Sequence, residues 1–359
     1  MTAEPLLINL SVLFSKPTGI STYILNLIPH LKFLAPTLLT PQLLPDFNCY
    51  EIPKDLTPFQ GAKGHAKRLL WTQLSLGKIY RQLRSSLLFS PLPEAPLGTH
   101  CNFVVMVHDL IPLRFPGAYS PLTYYFRYYV PRVLQQSRAI ICNSRATADD
   151  IVNFFSIPAA KIHPIPLAYD SDHFRPLNLP VKPYFLYVGR FNPHKNLIRL
   201  INAFGAIKNY RDHELILAGT FDPRYTPRLQ QQVKEKGLEN NVRFLDYIPY
   251  EELPVLINQA LALVFPSLWE GFGLPPLEAM GCGTPVITSN LSSLPEVTSD
   301  AGILVNPYKE GEITVAMESL IIDSSLREHL SRCSIDRASQ FSWEKTGRAT
   351  SSVLGKFLT

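Results

Sequence analysis

Short apolar runs alternate with amphipathic stretches along this chain, and they do so in two successive series. The first series opens with Leu6–Leu10, read as a strand, and the turn Lys16-Pro-Thr-Gly19 leads from it into a helix from Tyr23 to about Phe33. Strands follow at Leu87–Phe89, Phe103–Val107, Ala139–Cys142 and Ile162–Ile165, with helices at about Leu122–Gln136 and Ala146–Phe155. A proline-rich link, Arg175–Pro183, separates the second series. Its strands are Tyr184–Val188, Leu215–Leu217, Val242–Leu245, Ala262–Phe265 and Val286–Thr288, with a helix from Asn196 to about Lys208 after the first. Apolar runs this short, bounded by turn residues and alternating with helical stretches, predict buried strands of two doubly wound parallel sheets. The expected division is 1–170, 171–340 and a terminal helix in 341–359 that packs back on the first domain.

Composition is that of an ordinary globular chain, 46% hydrophobic and 18% charged over 359 residues, a length that suits about two domains. No apolar stretch is long enough to span a bilayer and no signal peptide is read, so a cytoplasmic location is expected, with attachment at the inner face of the membrane. Cys49, Cys101, Cys142, Cys282 and Cys333 are scattered and odd in number, against a disulfide framework or a metal site. Charge changes the picture more. Residues 1–165 hold fifteen of the 34 Lys and Arg but eight of the 29 acids, a net of +7 against −2 beyond. From Leu56 to Pro93 there is no acid at all, while Lys63, Lys67, Arg68, Lys78, Arg81 and Arg84 fall there. An anionic partner, either a phosphate-bearing acceptor or an anionic membrane surface, fits this bias, and so does a solvated helical face. No nucleic-acid-binding motif accompanies the charge, so nucleic acid is not an expected partner.

Two motifs in the second series carry chemistry. In Val188-Gly189-Arg190-Phe-Asn-Pro-His-Lys195-Asn196 a buried strand ends in glycine and two cations precede a helix. A planar guanidinium fork and a compact ammonium together suit a diphosphate. In Trp269-Glu270-Gly-Phe272-Gly273-Leu274-Pro-Pro-Leu-Glu278-Ala-Met-Gly281 a strand gives way to a glycine-rich turn and then a helix. Pro275 and Pro276 suit the first helical turn, and Gly281 and Gly283 end it. One carboxylate and several unpaired backbone N–H groups therefore fall at the carboxyl edge of a sheet, where open α/β folds bind ligands. Gly19 is the first-half counterpart, letting backbone N–H groups approach an anion, although any turn there needs glycine. Neither a dinucleotide fingerprint nor a P-loop is present.

These two motifs resemble those of the family 4 retaining glycosyltransferases, and the resemblance covers essentially the whole chain. Val107-His108-Asp109-Leu-Ile-Pro-Leu, Asn143–Ile151 and Phe341-Ser-Trp-Glu sit where that family has such segments, and the wording after His108 is most similar to its mannosyltransferase-B-like branch. The resemblance implies a GT-B fold, two Rossmann-like domains facing a cleft. It implies that Arg190 and Lys195, with Gly189 and Asn196, bind the donor diphosphate. Glu270 and the N–H groups of Phe272, Gly273 and Leu274 are implied to hold the transferred sugar, and Glu278 the ribose. His108 beside Asp109 is implied to reach the sugar from the N-terminal half, and Gly19 to let that half approach the phosphates. The implied partners are a nucleotide diphosphate sugar, first GDP-mannose and then a UDP-hexose, and a glycan or lipid-linked acceptor. No cofactor and no metal are implied.

Other readings stay beside this one. Glu270 and Glu278 also match a hydrolase pair of acid and nucleophile, which a ribose role for Glu278 disfavours. A phosphorylase, a sugar-nucleotide epimerase or a non-catalytic binding protein are alternatives of other classes. His108 taken alone fits a hydrogen-bonded core histidine. Asp170-Ser171-Asp172 has the form of a metal-binding D-x-D, but its place beside the proline-rich link favours a solvated loop. Tyr124–Tyr129 fits acceptor stacking or a lipid interface as well as helix packing.

Overall fold

The computed structural model describes residues 6–13, 19–56, 61–117 and 120–358. Lys16, Pro17 and Thr18 of the first expected turn lie outside these. The chain divides into two units, Met1–Leu167 with Ser342–Thr359, and Ala168–Phe341.

The sheet of the first unit is made of β1 (Leu6–Asn9), β2 (Thr37–Thr40), β3 (Asn48–Glu51), β4 (Leu87–Ser90), β5 (Phe103–Val107), β6 (Ala139–Cys142) and β7 (Ile162–Pro164). Their order is β3-β2-β1-β4-β5-β6-β7, every pairing parallel. β1, β4, β5 and β6 are buried throughout, because helices cover both faces of a parallel sheet and continuous apolar runs result. The terminal helix Trp343–Gly355 belongs to this unit: Trp343 lies 6.3 Å from Tyr23, and Thr346 Oγ1 donates to the Pro166 carbonyl at 2.8 Å.

The second unit has β8 (Tyr184–Val188), β9 (Glu214–Ala218), β10 (Val242–Leu245), β11 (Ala262–Phe265), β12 (Val286–Ser289) and β13 (Ile303–Val305), ordered β10-β9-β8-β11-β12-β13 and again all parallel. The two parallel sheets expected from the apolar pattern are thus both present. β2, β3 and β13 are additions to that reading. The helix expected from Asn196 to Lys208 runs from Leu197 to Gly205, with Asn196 left-handed at φ 64° as its cap. Strand order reverses between β1 and β4 in one sheet and between β8 and β11 in the other. Such reversals open a crevice at the carboxyl ends of the strands.

Candidate active site

The loops that follow β8 and β11 carry the two sequence motifs, so both motifs emerge at the switch point of the second sheet. Lys195 ends a short 3₁₀ turn, Pro193–Lys195, and its Nζ lies 2.6 Å from Glu270 Oε1. Both side chains are mostly covered, and the ammonium also sits 5.2 Å from the Phe265 ring centre. The loops are sewn together beneath this pair. Leu268 N–H donates to the His194 carbonyl at 2.7 Å, and the Asn196 amide donates to the carbonyls of Pro266 (3.1 Å) and Pro307 (2.6 Å). Asn196 Oδ1 accepts from Arg199 at 2.9 Å, so this side chain, expected at the donor, ties the loops instead. His194 is buried, and burial together with the Lys195 charge lowers its pKa to about 4, which keeps it neutral.

Arg190 is exposed, and among the described residues no carboxylate pairs with it. Its carbonyl accepts from the Tyr187 hydroxyl at 3.0 Å, which fixes the turn and leaves the side chain exposed. Gly189 sits in extended left-hand backbone at φ 148°, and the strand beside it comes so close that a Cβ on Gly219 would lie 2.0 Å from the Gly189 carbonyl oxygen. That contact is backbone against side chain with no room to yield, so Gly219 is part of the turn.

The turn after β11 is held from β12. Ser292 Oγ accepts from the Glu270 N–H at 3.1 Å, and buried Ser293 Oγ donates to the carbonyls of Glu270 (3.1 Å) and Phe272 (2.5 Å). Gly273, at φ 123°, then opens the helix Leu274–Gly281. Among the described residues nothing accepts from the N–H groups of Phe272, Gly273 or Leu274. They stand at a helix N-terminus, where an oxygen-rich or anionic ligand is stabilised.

Glu278 projects from the same helix. Burial of its carboxyl, and then the negative charge of Asp170, raises its pKa to about 7. Asp170 Oδ1 accepts from the N–H groups of Asp172 and His173, both at 3.1 Å, and the Tyr250 hydroxyl lies 3.3 Å from Oδ2. The His173 ring stacks on Tyr250 at 3.9 Å, 8° from parallel. The Asp-x-Asp segment is therefore a turn whose first carboxylate faces Glu278. Ser292, Ser293, Gly219 and the Asp170–Tyr250–His173 wall all escaped the sequence reading. The first three could have been sought in the turns after β9 and β12, at the same sheet edge.

In the first unit, His108 and Asp109 follow β5. His108 Nε2 lies 3.0 Å from the Pro91 carbonyl, its ring meets Tyr23 edge-on at 5.1 Å, and burial lowers its pKa to about 4. Asp109 Oδ1 accepts from the Ile111 N–H at 3.0 Å. Gly19 begins the helix Gly19–Leu27 and is exposed. The basic window is partly neutralised: Arg68 is buried and forms a two-pronged pair with Glu94 (2.8 and 2.7 Å), and Lys67 pairs with Asp55. Both acids stand just outside the acid-free stretch. The tyrosine run divides, with Tyr125 and Tyr129 packed inward and Tyr124 and Tyr128 about half exposed.

Residues 17–173 match the model for Glycosyltransferase Family 4, and residues 170–336 match that for glycosyl transferases group 1. The O-antigen chain mannosyltransferase B of Escherichia coli is 35% identical over 224 residues, 59% of this chain and 58% of that protein. The O-antigen chain mannosyltransferase RfbU of Salmonella typhimurium is 32% identical over 224 residues, 61% of each. The chain thus spans about three fifths of the length of these curated relatives. A solved sucrose-phosphate synthase from Thermosynechococcus elongatus superposes with a TM-score of 0.78 over 98% of both chains at 21% identity, a likeness of fold. With the two family segments matched in order from residue 17 to residue 336, over two parallel-sheet units of the GT-B type, the chain belongs to the family 4 glycosyltransferases.

Proposed function

We propose that the protein transfers a hexose, with mannose from GDP-mannose as the first candidate, from a nucleotide diphosphate sugar to a glycan or lipid-linked acceptor with retention of configuration. The observation that carries this is the Lys195–Glu270 contact of 2.6 Å, at a switch point that also holds the exposed Arg190 fork. A cation for phosphate and a carboxylate for sugar hydroxyls are neighbours there, which is the order of groups in a sugar diphosphate. Relatives named as O-antigen mannosyltransferases support the sugar and a role in cell-surface polysaccharide synthesis.

In this reading Arg190 and Lys195 hold the diphosphate and stabilise the charge it gains as the anomeric C–O bond breaks. Glu270 and the N–H groups of Phe272, Gly273 and Leu274 orient the sugar, and Glu278 accepts from the ribose. The acceptor oxygen forms the new bond on the face the phosphate leaves, and its proton passes to a phosphate oxygen. Two side-chain cations serve where other transferases use a metal, so the reaction is read as metal-independent. The first unit is read as the acceptor half, with an anionic membrane surface as a further partner.

The test is incubation of the full chain with GDP-mannose and UDP-hexoses and a panel of lipid-linked and soluble glycans, in EDTA, with the product anomer assigned by NMR. Retained transfer of mannose is expected. Transfer from UDP-hexose alone, an inverted product, or release of free sugar with no transfer would each overturn a stated part of the reading.

A further inference from the structure

Two helices lie side by side in the first unit. One runs continuously through Gly61–Trp71, a π-helical turn at Thr72–Leu76, and Gly77–Gln82. The other runs through Pro121–Tyr124, a π turn at Tyr125–Tyr129, and Val130–Gln136. They touch at His65 and Tyr125, whose rings are 4.9 Å apart, and where Gln73 Nε2 donates to Tyr129 Oη at 3.0 Å. Their inner faces are fully used, by the core around Leu76, Ile79, Val130 and Val133 and by the Arg68–Glu94 pair.

Their outer faces combine two features that a merely solvated surface does not need together. Along the first helix the outward positions at helical spacing are Lys63, Lys67, Leu70, Leu74, Lys78 and Arg81. Leucines at 60% and 59% exposure thus occupy the middle and cations both ends. On the second helix Leu122, Tyr124 and Tyr128 are exposed beside Arg127, and the two tyrosine rings stack at 6.2 Å. The charge is one-sided as well: 56–93 and 110–148, the stretches that contain these helices, hold no Asp or Glu. Asp55, just before the first stretch, answers Lys67 alone.

We propose that this two-helix face docks on a bilayer surface rich in anionic lipid. Leu70, Leu74, Leu122, Tyr124 and Tyr128 enter the boundary between headgroups and acyl chains, where amphipathic side chains and helices of this composition settle. Lys63, Lys78, Arg81 and Arg127 lie at the level of the lipid phosphates, to which juxtamembrane cations are attracted. A soluble polyanion would satisfy the cations but leave the leucines in water, and a zwitterionic bilayer would take the leucines but not select for the cations. The proposal rests on the reading of the first unit as the membrane-facing half, not on the transfer reaction.

The test is co-sedimentation of the full chain with vesicles of phosphatidylglycerol and phosphatidylcholine, and with vesicles of phosphatidylcholine alone. Binding to the anionic vesicles is expected, weakening as salt rises. Charge reversal by Lys78→Glu with Arg81→Glu should cut it about tenfold or more. Leu70→Ser with Leu74→Ser should cut it about tenfold as well, while leaving retention on a heparin column unchanged. All four side chains point outward, so thermal melting and nucleotide-induced thermal shifts should match the parent. A parent that stays out of the anionic pellet overturns the proposal. So does a leucine variant with undiminished vesicle binding, which would mark the face as a site for soluble polyanions. Vesicle binding needs no transfer, so a failed transfer reading and a failed membrane reading are told apart.

Discussion

Both units bury carboxylates close to the carboxyl edge of their sheets, and they settle the charge in different ways. In the first, Glu94 follows β4 by four residues, is 1% exposed, and is met by both prongs of Arg68. The Tyr125 hydroxyl adds a longer contact at 3.4 Å. That acid is answered inside the fold, and its neighbours on the strap, the carbonyls of Pro91 and Ala95, are likewise bonded to His108 and Tyr129. In the second, Glu270 has a single ammonium beside it, and Glu278 faces another acid, Asp170. A buried charge that meets its match holds a structure together. One left against a like charge, or beside an exposed guanidinium and N–H groups that no described residue accepts from, is arranged for something that is not part of the chain. Four changes test that distinction.

Arg68→Ala should have the largest effect. It leaves the Glu94 carboxylate buried and unanswered, a loss of about 3–5 kcal/mol in urea unfolding. Replacing both partners, as Arg68→Met with Glu94→Leu, should recover most of that loss, since the pair is structural. If the double variant is no more stable than the single one, Glu94 has a further role. Lys195→Ala makes the opposite case. It leaves the mostly covered Glu270 carboxylate without its partner and so costs some stability as well, but its larger effect should be on transfer, which should fall by ~10²–10³ if the ammonium stabilises the leaving diphosphate. Unchanged turnover would remove Lys195 from the chemistry. Gly219→Ala probes the backbone that shapes the site. The new Cβ would meet the Gly189 carbonyl oxygen at 2.0 Å. The turn must move, with a cost of about 1–3 kcal/mol and weaker nucleotide-sugar binding in a thermal-shift titration.

The same contrast explains what was legible in the sequence. Strands buried on both faces announce themselves, so β5, β6, β8 and β11 fall where the apolar runs put them, to the residue. β3 is Asn-Cys-Tyr-Glu, an edge strand exposed at both ends and half-buried between, and offers no such run. The helix over 61–82 is apolar on its inner face and partly apolar on its outer one, so its periodicity is blurred where its function is proposed to lie. At the site, residues in one motif could be read because their spacing is local. The Lys195–Glu270 contact spans 75 residues and the Ser293 clamp joins a loop to a strand end that has no chemistry of its own. Asp170 read as half of a solvated Asp-x-Asp, because what faces it, Glu278, is 108 positions away and only the fold brings them together.

Glu278→Gln is the subtlest change and the one that isolates the unmatched acid. With Asp170, Tyr250 and Cys282 as its titratable neighbours, the carboxyl has its pKa raised from 4.5 to about 7 by burial and then by Asp170. Between these values the unfolded chain has lost the proton and the folded chain still holds it. Stability therefore falls as pH rises from about 4.5 to 7 and is level in this respect above 7. Glu278→Gln should flatten that slope and leave the variant the more stable protein at pH 8. Ligand binding should run the other way. A carboxylate that accepts from ribose hydroxyls is favoured in its ionised form, so binding of a nucleoside diphosphate should release a proton near pH 6.5. Calorimetry in two buffers of different ionisation enthalpy reads that proton directly, and Glu278→Gln should abolish it. Proton release that survives the substitution would place the ribose elsewhere and leave Glu278 as a buried acid with only Asp170 to explain it.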